Sequence, residues 1–214
     1  MGSRITRTAL PIIAVKTLGV GAPAAALLGS LGWGPGAVIG LVAGGWVDRR
    51  SKRSLLVWSD VVRAALVMSL PIAYWLGMLG FVHVCVVAGG VGAASAVFRI
   101  TTSSYLPDVV EPDELLDANG VGEATESVAE IAGPATAGPM IAILGAPIAV
   151  LADAASYLWS AAFLRGLPRG APASAAPATI AADIAAGLGA IWHDRVTRRL
   201  AIAEAISMLG TGAF

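Results

Sequence analysis

Four carboxylates stand out in a chain that is otherwise mostly apolar. Glu123, Glu126 and Glu130 are spaced by three and four residues, which places them on one face of a helix, and Asp153 follows in a later apolar stretch. Removing a carboxylate from water favours its neutral form, so an acid enclosed among apolar helices can take up and release a proton. Reversible proton binding is therefore the chemistry that these residues could perform.

Glu130 is the first candidate for this role. It is the deepest of the three glutamates, and it lies one turn before the Gly-Pro pair at residues 133–134. A structural alternative stays open for the other acids. The two remaining glutamates could lie near the mouth of a bundle and pair with Arg63 or Arg99, and Asp153 could hydrogen-bond a neighbouring helix.

The composition indicates that these acids lie in a membrane protein. Of the 214 residues, 57% are hydrophobic and 13% are charged, whereas soluble domains are about 25% charged. The formal net charge is zero, which argues against nucleic acid as a partner. The single Cys85 excludes a disulfide within the chain, and the two histidines lie far apart, so we expect no metal and no cofactor.

Uncharged runs separated by charged turns predict five complete membrane spans. A helix needs roughly 20 apolar residues to cross a bilayer. We expect spans over residues 21–47, 54–78, 81–105, 115–145 and 147–164. Residues 9–15 are too short to cross and resemble the tail of a helix, and an acidic loop is expected over residues 107–114.

The fold class that follows is all-α, a polytopic membrane helical bundle. We expect this bundle over residues 1–167 and a linker over residues 168–195. Apolar residues recur at helical spacing within the linker, which predicts an amphipathic helix on the membrane surface. Residues 196–214 would begin a further span.

The basic residues predict the orientation of the spans. One set of turns carries nearly all of them, and the opposite turns, near 77–80 and 145–147, carry none. The positive-inside rule therefore places the basic loops in the cytoplasm of a multi-pass protein of the cell membrane, with Lys16 as the exception. The basic residues on the cytoplasmic side are Arg49, Arg50, Lys52, Arg53, Arg165, Arg169, Arg195, Arg198 and Arg199.

Two ionisable residues lie within the predicted span over 54–78. Asp60 and Arg63 are one turn apart, and charged groups inside a span are costly unless they have partners. The simplest interpretation is a local ion pair close to the interface. The alternative is a network with the basic loop at 49–53 that changes as the protein moves.

Glycines recur at every fourth residue along the span over 21–47. This spacing favours close packing against another helix, and a sliding contact for a moving helix is the alternative. The glycines are Gly32, Gly36, Gly40 and Gly44.

Four motifs, in matching order and spacing, resemble those of the major facilitator superfamily. The first resembles the signature loop between that family's second and third helices, where the family has Gly in place of Ser51. Its matching residues are Gly44, Asp48, Arg49, Lys52 and Arg53. The second, Asp60-Val-Val-Arg63, resembles the extension of this loop in the drug-exporter branch that includes macrolide and siderophore exporters.

The other two motifs resemble the family's fifth and sixth helices. Residues 133–138 are similar to the antiporter motif of helix five, with Ala137 in place of a glycine, and residues 153–158 are similar to helix six of the drug-exporter branch. The matching residues of the antiporter motif are Gly133, Pro134 and Gly138. Val86 stands where helix four of the family carries an arginine linked to proton movement, which argues against coupling through that helix.

The resemblance implies the N-terminal half of a major facilitator fold, cut within the first and seventh of twelve helices. The five spans would be helices two to six of the family. In the family, the aspartate that Asp48 matches helps to hold the cytoplasmic side shut through contacts with the second half. The glycine face of helix two lies against helix eleven. The implied partners are the lipid bilayer, a small-molecule substrate, and the C-terminal half or a second copy of the chain.

The function that we expect is export of small amphipathic molecules by alternating access, coupled to protons, as part of a larger transporter. The alternative is a non-transporting truncated fragment or an assembly module. We do not expect an enzyme. Lipid phosphotransferases need clustered aspartates, and intramembrane proteases need a paired nucleophile and base or two aspartates, and neither set is visible in the sequence.

Overall fold

The computed structural model describes residues 2–21, 23–24, 26–32, 36, 39, 47, 49–168 and 198–199. These residues are helical or lie in turns, and none of them is in a strand. The helices are α1 (Gly2–Ile12), α2 (Lys52–Trp75), α3 (Phe81–Val109), α4 (Leu115–Leu144), α5 (Ala146–Ala149) and α6 (Leu151–Leu164). The all-α fold class is therefore confirmed.

Four of the five expected spans have a helical counterpart that is long and apolar enough to cross a membrane. They are Lys52–Trp75, Phe81–Val109, Pro112–Leu144 and Ala146–Leu164. The remaining expected span, over residues 21–47, lies largely outside the described residues, although residues 23–24 and 26–32 are helical. The linker over 168–195 and the stretch over 196–214 lie outside them too, except for residues 168 and 198–199.

The N-terminal helix is longer than the tail expected over residues 9–15. α1 begins at Gly2 and continues as a π-helical turn, Ile13–Thr17. The chain then turns at Gly19, whose φ of 67° is a conformation that glycine adopts without steric cost. The sequence prediction was short here because Arg4, Thr6 and Arg7 interrupt the apolar pattern.

The acidic loop expected over 107–114 is shorter than predicted. α3 continues through Pro107 to Val109, and a 3-10 turn, Pro112–Glu114, leads into α4. The Lys52 ammonium lies 2.8 Å from Asp108 and donates to the Ser104 carbonyl at 2.7 Å. These contacts hold Asp108 and the last turns of α3 against the start of α2.

The core of the bundle lies where α2 packs against α3 and α6. Fully buried apolar side chains from these helices meet the C-terminal half of α1 in one cluster. Among its largest members are Val67, Leu70, Val84, Val87 and Val150. α4 contributes little to this core, because its buried residues are only the small Ala129, Gly133 and Ala137. It runs as one helix through Pro134 and Pro139.

Two backbones approach closely where α3 crosses the helical residues 26–32. A Cβ built on Gly92 would lie 2.4 Å from the Gly32 carbonyl oxygen, and one built on Gly36 would lie 3.5 Å from the Cβ of Ala96. The described glycines of the predicted stripe therefore lie beside α3, within this half of the fold. Gly40 and Gly44 lie outside the described residues.

Candidate functional site

The last two basic residues of the signature loop tie three helix ends together. Lys52 at the start of α2 forms an ion pair with Asp108 at the end of α3, with only 14% and 17% of the two side chains exposed. Arg53 donates from Nη1 to the Leu167 carbonyl oxygen at 3.0 Å, just beyond α6. Cations at helix C-termini also interact favourably with the helix dipole. Gly44 and Asp48 of the same motif lie outside the described residues, and Arg49 is exposed.

Asp60 and Arg63 form an ion pair inside the bundle, one turn apart on α2. Their exposed fractions are 1% and 6%, so both charged groups are withdrawn from solvent. Arg63 Nε also donates to the Ser59 carbonyl oxygen. The acidic partner of Arg63 is therefore Asp60, and not Glu123 or Glu126.

Two aromatic rings enclose the same guanidinium. The guanidinium carbon of Arg63 lies 4.3 Å from the ring centroid of Phe98 on α3 and 4.7 Å from that of Tyr157 on α6. Such cation–π contacts add about 2 kcal/mol or more when the cation is desolvated. Arg63 thus joins α2, α3 and α6 at one point.

Asp153 is fully buried on α6, where it reaches the first helix. Its Oδ2 accepts a hydrogen bond from the backbone N–H of Thr6, across the α1–α6 contact. Oδ1 of Asp153 and Oγ1 of Thr6 are buried without a hydrogen-bond partner among the described residues. This carboxylate therefore makes the helix–helix hydrogen bond that was one of the two interpretations of its sequence position.

The three glutamates of α4 lie in a different environment. Glu123, Glu126 and Glu130 are all exposed, along a helix whose side chains are mostly exposed. The structure therefore separates the four candidate acids, with Asp153 enclosed and the glutamates on the surface of this half.

The residues of the antiporter motif lie on two sides of α4. Gly133 is buried, whereas a Cβ added at Gly138 would meet no atom within 4 Å. Gly138 lines a groove of about 450 Å³ at the end of the bundle opposite Lys52, together with Lys16 and Tyr74.

A smaller cavity of about 90 Å³ between α1 and α3 is lined by Thr6, Arg7 and Ser95 among others.

Residues 22–211 match the family of transmembrane secretion effectors. The chain belongs to this family, within the major facilitator superfamily. It is 31% identical over 224 residues to the multidrug efflux pump Tap of Mycolicibacterium fortuitum, a match that covers 100% of the chain and 53% of that pump. It is 24% identical over 179 residues to the uncharacterized MFS-type transporter y4rN of Sinorhizobium fredii, covering 84% of the chain and 44% of that protein.

The major facilitator chain thus spans about half the length of the curated relatives that it matches. No solved structure matches it significantly. The drug-exporter resemblance read from the four motifs is confirmed by these relatives. Within the described ranges of this chain, no group of three or more His, Cys, Asp or Glu side chains is placed to hold a metal ion.

Sequence reasoning missed the partners that the fold supplies to the motif residues. Phe98 and Tyr157 beside Arg63, Asp108 beside Lys52, and Thr6 beside Asp153 come from distant parts of the chain. Asp108 could have been found, because an acid at the end of an apolar run is a possible partner for the basic loop. The sequence held no signal for the two aromatic contacts, because aromatic residues at helical spacing are typical of any packed helix.

Proposed function

We propose that this chain forms the N-terminal half of an exporter of small amphipathic molecules, which works by alternating access. The observation that carries the proposal is the match of the whole chain, at 31% identity, to half of a multidrug efflux pump. The remaining half would be supplied by a C-terminal bundle or by a second copy of the chain. Transporters of this architecture bind their substrates near the midplane, between two bundles that rock against each other.

The charge distribution supports rigid-body movement of this half. Asp60 with Arg63 and Lys52 with Asp108 are ion pairs within the bundle, so neither needs the second half in order to be satisfied. Breaking a buried pair by removing one partner is costly, about 3–5 kcal/mol. The Lys52–Asp108 pair joins α2 to α3, and Arg63 contacts rings on α3 and α6, so separating these helices would break contacts that motion of the bundle as a unit preserves.

The end of the half-bundle at which Lys52 and Arg53 lie is proposed to be the cytoplasmic end. The ion pair of Lys52 and the hydrogen bond of Arg53 place the signature loop beside the ends of α3 and α6. Asp48 would hold this side shut against the second half, as in the family. This orientation agrees with the positive-inside rule.

Glu130 is the first candidate for proton coupling in this proposal, and Glu126, Glu123 and Asp153 are the other candidates. Exchange with protons requires an acid that is desolvated in one state and reachable in another. Asp153 is enclosed by this half alone, whereas Glu130 is exposed on α4. The second half would have to cover the exposed face of α4 for Glu130 to act, and rocking of the two halves would then open and close it.

Efflux from cells tests the transport function. The chain is produced in a bacterium that lacks its own multidrug pumps, both alone and within its complete transporter, and loss of preloaded ethidium is followed by fluorescence. We expect efflux from the complete transporter that stops when a protonophore collapses the proton gradient. No efflux despite normal membrane insertion would reject the exporter. Efflux that survives the protonophore would reject only the coupling.

Two variants of the complete transporter test the proposed roles. Glu130→Gln is expected to abolish efflux with normal membrane expression, and undiminished efflux would remove Glu130 from the mechanism. Asp48→Ala is expected to slow efflux while substrate binding persists. Unchanged efflux in that variant would mean that the signature loop acts only as a topology signal.

A further inference from the structure

The groove lined by Gly138 has chemistry that export does not explain. It lies at the end of α2 opposite Lys52, because its lining includes Tyr74 near the C-terminus of that helix. Its walls are Ile12 from α1 and Ile141 from α4. Its volume of about 450 Å³ falls within the range of roughly 300–1,000 Å³ that is typical of small-molecule sites.

Small residues keep this groove open. Gly138, Ala142, Gly145 and Ala146 line it, and α5 with Pro147 closes one side. A side chain at position 138 would extend into empty space, because a Cβ there has no neighbour within 4 Å. The groove is therefore an apolar slot whose width depends on the absence of side chains on α4.

A cation lies in the lining of this slot. Lys16 in the π-helical turn after α1 is exposed, and it is the only charged residue in the lining that the structure describes. Within the described residues it forms no ion pair. Tyr74 borders the same groove, and the neighbouring Trp75 is 63% exposed. Tyr and Trp are enriched where the hydrocarbon of a bilayer meets the headgroups.

We propose that this groove binds one anionic phospholipid, with the phosphate on the Lys16 ammonium and an acyl chain in the slot beside Gly138. An apolar groove on a membrane-embedded surface fills with hydrocarbon, because water there would leave its hydrogen bonds unmade. Lys16 then selects for negative headgroups, as other basic pockets at membrane surfaces do. The lipid would occupy the leaflet opposite the basic loops and hold α1 against α4.

Native mass spectrometry of the purified chain in mild detergent tests this site. Phosphatidylglycerol or phosphatidylcholine with identical acyl chains is titrated in, and the bound lipid is counted. We expect one phosphatidylglycerol to be retained in preference to phosphatidylcholine. Lys16→Ala should weaken its binding about fivefold, since one Lys near an anionic surface contributes on the order of 1 kcal/mol. Gly138→Leu should fill the slot and abolish retention.

Matched variants separate the site from general effects. Gly120→Leu places the same side chain on the same helix at a position that is also open, outside the groove, and should retain the lipid. Arg99→Ala removes an exposed cation outside the groove and should leave the affinity unchanged. If Gly138→Leu fails to fold, the exposed Lys16→Glu reverses the charge and should abolish the preference for phosphatidylglycerol.

Three results would overturn the proposal. Equal retention of the two lipids, or unchanged binding in both Lys16 variants, would remove the phosphate contact. Displacement of the lipid by ethidium at the same site would make the groove a substrate site. Loss of the lipid from the complete transporter, but not from the chain alone, would assign the groove to the contact between the two halves.

Discussion

The α2–α6 side of the bundle and the α4 side handle charge in opposite ways. Asp60 and Asp153 are buried beside partners from their own or a neighbouring helix, at 1% and 0% exposure. The three glutamates of α4 are exposed on the surface of the same half. One region therefore uses acids to hold helices together, and the other presents acids outward. The first kind should therefore contribute more to the stability of this half than the second kind.

Removing the Arg63 cation from the α2–α6 side should have the largest effect on the stability of this half. Arg63→Met leaves the Asp60 carboxylate buried without its ion-pair partner and removes the contacts to Phe98 and Tyr157. We expect a loss of about 3–5 kcal/mol in unfolding free energy. Thermal unfolding of the purified chain in detergent, followed by size-exclusion chromatography, measures it.

The double variant Asp60→Asn/Arg63→Met is the control for this loss. It removes both charges, so most of the lost stability should return. A double variant as unstable as Arg63→Met alone would show that the aromatic contacts, and not the uncompensated carboxylate, dominate the cost.

The next largest effect on stability concerns packing where α3 crosses residues 26–32. Gly92→Ala places a methyl group 2.4 Å from the Gly32 carbonyl oxygen, and two backbones must separate to accept it. We expect about 1–3 kcal/mol of destabilisation in the same unfolding assay. Gly122→Ala on α4 meets no atom within 4 Å and should be neutral or slightly stabilising. Equal effects at the two sites would mean that α3 is not held against residues 26–32.

A smaller effect on stability is expected where the start of α2 meets the end of α3. The partly exposed pair of Lys52 and Asp108 can be tested with a double-mutant cycle of Lys52→Met and Asp108→Asn. We expect a coupling energy of about 1 kcal/mol, the upper range for pairs that water still reaches. Arg165→Met removes an exposed charge near the same end and should change stability little. A cycle without coupling would place the role of Lys52 in its hydrogen bond to Ser104.

The comparison also shows how far the sequence could reach. The four described spans and the fold class followed from the length of apolar runs, because lipid imposes that length on any helix that crosses it. The glutamates and Asp60 could not be ranked by burial, since all of them interrupt apolar helices with the same periodicity. Whether a charged side chain is enclosed depends on helices that are distant in the chain. Phe98 of α3 and Tyr157 of α6, for example, enclose Arg63 of α2.

The same chemical change, an acid to its amide, gives the sharpest test of the two regions. Glu123→Gln on the exposed face of α4 should alter the unfolding free energy by less than about 0.5 kcal/mol, as is usual for surface positions. Asp60→Asn should cost several times more, because it leaves the buried Arg63 without its carboxylate. Thermal unfolding of both variants beside the parent chain measures the difference. If Glu123→Gln proves as costly as Asp60→Asn, then the face of α4 that carries Glu123 is already enclosed within this half, and that glutamate contributes to its stability.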